Sequence, residues 1–333
     1  MSNLRIGIVG IGRIAATHVD AWRATEGVEL VAAADESPEA RERAAALGLE
    51  SYGSAEEMLR DARLDAVSVC TPPSTHLALS SAALDRKVAV LCEKPATTSL
   101  WSTRRLMSVV ESGGGKFQMA TKFRHVPELK AARETIAAGG IGQPVHLQIE
   151  FAGKVDMSAR WNSNPALSGG GVIIDNGSHA LDLAEFVLGD LSTIETRRGP
   201  RQAPYDVEEA ATLHADAANG ASVDIVLSWS APPASDFYAT ILGSEGSIAI
   251  GWKASFLQRT GGEPVQTANG YDKNAVHRDM MARFRDFVLG QDEGWISPRE
   301  IEANAAAIDA AYRSMDVARQ VAVERTEAGL KAA

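Results

Sequence analysis

Glu93-Lys94-Pro95 follows directly on the apolar run Val88-Ala89-Val90-Leu91-Cys92, which sets a lysine at the exit of a buried strand, where solvation is poor. Burial moves an ammonium pKa toward neutrality and an adjacent carboxylate holds the charge, so Lys94 beside Glu93 makes a tunable proton donor or acceptor. Pro95 fixes the backbone behind the pair, and the bond preceding it can readily be cis.

A second group lies in Gly169-Gly170-Gly171-Val172-Ile173-Ile174-Asp175-Asn176-Gly177-Ser178-His179-Ala180-Leu181-Asp182. On a helix, Asp175, His179 and Asp182 share one face. A histidine between two carboxylates is oriented and made more basic, which suits proton exchange with a substrate hydroxyl. The same residues equally suit a buried, hydrogen-bonded polar cluster. Gly177 is costly inside a helix and fits best where a ligand or backbone must come close. No third ligand at suitable spacing supports a metal site.

A third pattern, Gly10-Ile11-Gly12-Arg13-Ile14-Ala15, matches G-x-G-x-x-A between a strand and a helix that ends near Ala24. Such glycines let the backbone turn tightly and approach a pyrophosphate, which the helix N-terminus attracts. Asp35 ends the next strand, where an acid binds the adenosine ribose 2′-hydroxyl and repels a 2′-phosphate, favouring NAD over NADP. Thr71-Pro72-Pro73 interrupts the chain at the carboxyl end of the strand Ala66–Cys70, the edge at which open α/β sheets bind ligands. The backbone there is expected to line the cofactor cleft. His76, just beyond, reads equally as a cofactor contact or as a locally bonded helix start.

The elements that must position these residues divide the chain. Up to residue 122, runs apolar on both faces (Leu4 to Val9, Leu30 to Ala34, Ala66 to Cys70, Val88 to Cys92, Lys116 to Ala120) alternate with amphipathic stretches. That alternation predicts a doubly wound parallel sheet covered by helices on both sides. Ser37-Pro38 opens one of those helices and Gly48 closes it. From 123 to 333, after a helix over Val126 to Ala138, period-two alternation takes over. Val145, Leu147, Ile149 and Phe151 share a face, as do Val223, Ile225, Leu227 and Trp229, and Ile248, Ile250 and Trp252. A hairpin is expected at Gly243-Ser244-Glu245-Gly246. One-sided alternation predicts an antiparallel sheet with one covered face and one face open to solvent or a second subunit. Ser297-Pro298-Arg299-Glu300 is a capping box, and Ile301, Ala305, Ile308, Tyr312 and Met315 form a core stripe on the helix it starts.

At 333 residues the chain exceeds a single core, and its composition, 45% hydrophobic and 23% charged, is that of a globular protein. A net charge of -10 argues against nucleic-acid or anionic-membrane partners. Two cysteines, Cys70 and Cys92, give no disulfide framework or zinc spacing and read as small core residues in a reducing compartment. Met1 to Arg5 runs into a strand with no secretory pattern, so a cytoplasmic protein is expected.

In order and combination, G-x-G-x-x-A, Asp35, Thr71-Pro72, Glu93-Lys94-Pro95 and Asp175-x-x-x-His179 resemble the Gfo/Idh/MocA oxidoreductase family over nearly the whole chain. The resemblance implies an N-terminal Rossmann domain and a C-terminal α/β domain built on a large, open, mainly antiparallel sheet, often used for dimer or tetramer contacts. It also implies nicotinamide-dependent oxidation or reduction of a sugar or cyclitol carbon. From the glycine turn and the sheet edge, Gly10, Gly12, Arg13, Ile14, Asp35, Thr71, Pro72 and His76 are expected to hold NAD, and the resemblance adds Glu93 and Lys94 at its nicotinamide end. Lys94 would touch the reacting oxygen, and His179, oriented by Asp175, would be the general acid/base of an inositol-dehydrogenase-like site. Phe123-Arg124, Arg160-Trp161 and Asn176 would meet the substrate end. Other functions compatible with such a chain are an NAD-dependent glycosidase that oxidises its substrate transiently and a non-catalytic NAD-binding regulator. Arg124, His125, Lys154, Arg160 and His277 are possible handles for a phosphate or nucleotide; Asp156, Asp182 and Asp206 would instead favour an amino sugar.

Overall fold

A computed structural model describes residues 3–325. The first stretch of chain runs β1 (Leu4–Val9), α1 (Arg13–Arg23), β2 (Val28–Ala34), α2 (Pro38–Ala46), β3 (Glu50–Tyr52), α3 (Ala55–Asp61), β4 (Ala66–Val69), α4 (His76–Asp85), β5 (Ala89–Cys92), α5 (Leu100–Gly113) and β6 (Phe117–Met119). The strands form one parallel sheet in the order β3-β2-β1-β4-β5-β6. Buried on both faces, β4 and β5 are apolar throughout apart from Ser68, whose hydroxyl takes the Trp22 indole N–H at 2.8 Å. As expected, Ser37 caps α2 by accepting the Ala40 amide, and Gly48 follows the helix at φ +76°.

The chain continues through α6 (Pro127–Ala137), β7 (Pro144–Ala152), α7 (Pro165–Ser168), α8 (Val172–Leu188), β8 (Leu191–Arg198), β9 (Ala210–Ala217), β10 (Ser222–Ser228), β11 (Phe237–Gly243), β12 (Gly246–Gly251), β13 (Ser255–Arg259) and β14 (Val265–Ala268). It closes with α9 (Lys273–Leu289), α10 (Pro298–Val317) and β15 (Val321–Ala322). The nine strands β7 to β15 form a second sheet, ordered β14-β13-β12-β11-β7-β10-β9-β8-β15. Its pairings are antiparallel except at the centre, where β7 and β10 run parallel. Leu147, Ile149, Val223, Ile225 and Leu227 are buried on the face that α8 covers. Gln148, Glu195, Arg197, Thr212, His214 and Asp224 line a shallow depression of ≈ 580 Å³ on the other.

Two compact units result: Met1–His125 with Asp272–Ile301, and Val126–Tyr271 with the chain from Glu302. The sequence division at 122/123 leaves Asp272–Ile301 with the second part, whereas it returns to the first unit. The reason is aromatic packing and backbone capture. Phe284 meets the rings of Trp22 and Trp295 at centroid distances of 6.1 and 6.5 Å, and Lys116 Nζ donates to the carbonyls of Phe287 and Val288. Met280, Met281 and Phe284 are fully buried in the core of that unit.

Candidate active site

The register of the parallel sheet gathers the first group of candidate residues. Val9 pairs with both Ala34 and Val69, and Val69 pairs with Cys92. Gly10, Asp35, Cys70-Thr71 and Glu93-Lys94 therefore leave the sheet along one carboxyl edge, the ligand edge of an open α/β fold. Gly10 has φ +87°, and a Cβ there would lie 2.7 Å from Thr71 Cγ2. Only glycine fits this turn.

Gly12 is the N-cap of α1 with no side-chain cap, and a Cβ on it would meet nothing within 4 Å. The N-cap of α1 thus carries no side chain of its own over the first amides, as close approach of a pyrophosphate requires. Arg13 is exposed and Ile14 half-buried beside this opening. Asp35 Oδ2 accepts the Ile11 amide at 2.7 Å and Oδ1 the Ser37 amide at 2.9 Å, so the acid is fixed against the glycine turn with lone pairs left for a ribose. Arg43 supports the same turn by donating to the Ile11 carbonyl. These groups fit NAD.

At the end of β5 the Lys94-Pro95 bond is cis. Glu93 Oε1 accepts from Nε2 of the fully buried His18 at 2.9 Å, and Oε2 accepts the Lys94 amide at 3.2 Å. Burial alone would raise the Glu93 pKa. The hydrogen bond and charge of His18, with Lys94 and His277, outweigh it and bring the carboxyl down to about 2. His277 is driven down to about 4, chiefly by burial.

Three expectations for this unit are corrected. His76 is fully buried with Nδ1 2.9 Å from the Pro95 carbonyl oxygen and Nε2 2.9 Å from that of Thr71, so it sits between the chain after β5 and the Thr71-Pro72 turn and is not exposed to a cofactor. Arg124 is no substrate handle. It is 3% exposed and donates to the Trp295 carbonyl and to Glu300 Oε1, the acid that also closes the capping box with Ser297. His277, 2% exposed, donates from Nδ1 to the Lys273 carbonyl and faces His18, not solvent.

In the second unit α8 is helical, as expected, and sets Asp175 and His179 one turn apart with Asn176 between them, all partly exposed. Asn176 Nδ2 donates to the Phe151 carbonyl, and Asp182 is 2% exposed, in the interior. The glycines before the helix have a packing cause. A Cβ on Gly170 would lie 1.9 Å from the Tyr312 hydroxyl, and one on Gly171 2.0 Å from the Glu208 carbonyl oxygen. Glu208 Oε1 accepts the amides of Gly171 and Ile173 and the Tyr312 hydroxyl, so a buried carboxylate caps α8. Gly177 admits Leu227 of β10, at 3.1 Å from a built Cβ, not a ligand. Arg160 precedes a 3₁₀ turn over Trp161–Ser163, with the Trp161 side chain exposed. Tyr312, read as part of an apolar stripe, is half of the clamp on α8. No group of metal-ligating side chains occurs among the described residues, and no described helix is long and apolar enough to cross a membrane.

Comparison with known proteins agrees with this geometry. Residues 4–121 match the model of the GFO/IDH/MocA oxidoreductase family, NAD-binding Rossmann fold, and residues 129–249 that of the GFO/IDH/MocA C-terminal domain. The rhizopine catabolism protein MocA of Rhizobium meliloti is 30% identical over 310 residues, 92% of this chain and 92% of that protein. Inositol 2-dehydrogenase of Rhizobium meliloti is 27% identical, covering 96% and 99%. The WlbA dehydrogenase from Bordetella pertussis, solved with NADH and UDP-GlcNAcA, has the same fold at TM-score 0.87 and 21% identity, covering 98% and 99%. The glycine turn, the acid after β2 and the Glu-Lys-Pro corner thus sit in a chain that belongs to the Gfo/Idh/MocA family of NAD-binding oxidoreductases.

Proposed function

We propose that this protein is an NAD-dependent dehydrogenase that oxidises a secondary alcohol carbon of a sugar, amino sugar, sugar conjugate or cyclitol, or reduces the corresponding ketone. The observation that carries this reading is the shared carboxyl edge of β1, β2, β4 and β5, which brings the glycine turn, Asp35 and Glu93-Lys94 to one cofactor face. Relatives named for inositol oxidation, and a like-folded dehydrogenase solved with a nucleotide sugar, support the substrate class.

Bound NAD supplies the hydride acceptor. In oxidation, His179 takes the hydroxyl proton, with Asp175 orienting its ring from one turn earlier. Lys94 stabilises the charge that develops on the substrate oxygen, and Glu93 lines the nicotinamide end. Trp161, Arg160 and Asn176 contribute to substrate binding. Asp35 selects NAD by accepting from the ribose hydroxyl and repelling a 2′-phosphate. The open polar face of the large sheet supports a homodimer or homotetramer, and the two buried thiols fit a cytoplasmic setting.

The test is absorbance of NADH across a panel of myo-inositol, scyllo-inositol, free sugars, amino sugars and UDP-sugars, with NADP as control. Net NADH formation with at least one compound is expected. Bond cleavage without net NADH would identify a glycosidase instead, and NAD binding without turnover on any compound would identify a regulator.

A further inference from the structure

We propose that His18 is a positioning residue for the reaction: through Nε2–H it fixes the Glu93 carboxylate that in turn holds the backbone amide of Lys94. The proposal rests on the role assigned to Lys94 above, and it adds a residue outside every expected contact, on the interior side of the glycine-turn helix.

Four observations carry it. First, His18 is fully buried on α1, and its Nε2 lies 2.9 Å from Glu93 Oε1. Glu93 is ionised and can only accept, so Nε2 carries the hydrogen. Second, His18 Nδ1 is buried with no hydrogen-bond partner among the described residues. Buried side-chain nitrogens ordinarily meet at least one partner, and each ring nitrogen of His76 lies 2.9 Å from a carbonyl oxygen. His18 keeps an orphaned nitrogen, at a cost, while meeting Glu93. Third, the two Glu93 oxygens divide their work, Oε1 to His18 and Oε2 to the Lys94 amide, so the ring on one side sets the carboxylate plane that the amide meets on the other. Fourth, His277 cannot take over. Its ring lies edge-on to His18 at 6.3 Å, and its Nδ1 is committed to the Lys273 carbonyl.

Without the His18 donor, the Glu93 side chain loses the hydrogen bond that fixes Oε1, and the carboxylate plane that meets the Lys94 amide is less closely set. Misplacement by about 1 Å of a group that aligns reactants costs on the order of 100-fold in rate.

Two variants of the full-length protein test this, His18→Leu and His18→Gln, the second keeping an N–H donor. The substrate-independent readout is amide hydrogen exchange at Lys94 in the protein without cofactor, with the amides of β4 as internal control. His18→Leu is expected to speed exchange at Lys94 by about tenfold or more, leave β4 unchanged, and recover with Gln. With the panel compound giving the fastest NADH formation, His18→Leu should lower kcat by about 10- to 100-fold with little change in the KM for NAD, and Gln should restore most of it. Unchanged Lys94 exchange in His18→Leu overturns the proposal, as does equal loss in Leu and Gln variants or a loss confined to KM. Lys94→Met separates the two ideas. Normal turnover in Lys94→Met would remove the role assigned to Lys94, whereas an inactive Lys94→Met beside a fully active His18→Leu would remove only that of His18.

Discussion

The hydroxyl of Tyr312 donates to Glu208 Oε1 at 2.9 Å, on the same oxygen that receives the amide of Ile173 at 2.9 Å. A residue of the last long helix thereby anchors the first turn of α8, the helix that carries Asp175 and His179. Glu208 is 5% exposed, and its loss would leave two amides and a hydroxyl without an acceptor. Glu208→Ala should therefore destabilise the fold by about 3 kcal/mol and Tyr312→Phe by about 1 kcal/mol. Gly170→Ala, which must displace the Tyr312 hydroxyl, should cost more than Tyr312→Phe. Equilibrium urea unfolding of the three variants checks the order.

Replacing either proposed chemical group should remove rate and spare cofactor binding. Lys94→Met and His179→Ala are each expected to lower kcat by about 10²- to 10⁴-fold. Titration of NADH fluorescence should give a dissociation constant within a few-fold of the parent for His179→Ala. Near-normal turnover in both variants would contradict the assignment.

Asp35 sits on the glycine turn through the Ile11 and Ser37 amides, and the proposed reading has its charge repel a 2′-phosphate. Asp35→Ser should weaken NAD use and relieve the repulsion, raising the ratio of kcat/KM for NADP over NAD by about tenfold or more. Steady-state kinetics with both cofactors measures the ratio. An unchanged ratio would show that Asp35 serves the turn alone.

Acid sensitivity should arise in two steps. His277 is held down to about 4, so between that value and its ordinary 6.5 the unfolded chain binds a proton that the folded protein does not. Its contribution is complete above 6.5 and is lost as pH falls toward 4. Glu93, held down to about 2 from 4.5, acts in the same direction at lower pH, its contribution fading as pH falls from 4.5 toward 2. Each step has a limiting slope of about 1.4 kcal/mol per pH unit. Unfolding midpoints measured from pH 7 to 3 should fall throughout, and His277→Leu should flatten the segment above pH 4.5.

What the sequence made legible was local. The runs apolar on both faces and the caps at Ser37 and Ser297 located the first sheet and two helices, and the glycine turn, Asp35 and Glu93-Lys94-Pro95 declared themselves by spacing. β3 escaped because Glu50-Ser51-Tyr52 is a three-residue edge strand with no buried run. Alternation in β7 and β10 announced strands but not their parallel pairing, since period two carries no direction. Met280, Met281 and Phe284 look like any amphipathic stripe, so the return of α9 to the first unit was invisible. The supports of the site were equally hidden, because His18 reaches Glu93 across 75 positions and Tyr312 reaches Glu208 across 104.

In the proposed reaction hydride passes from a substrate carbon to NAD, and deuterium follows it. Oxidation of perdeuterated myo-inositol, or of the deuterated form of whichever panel compound turns over, should give NADH that carries one deuterium at C4 of the nicotinamide, seen by mass spectrometry as a gain of one mass unit. NADH formed without deuterium, or no reduced cofactor from any compound while NAD binds, would contradict it.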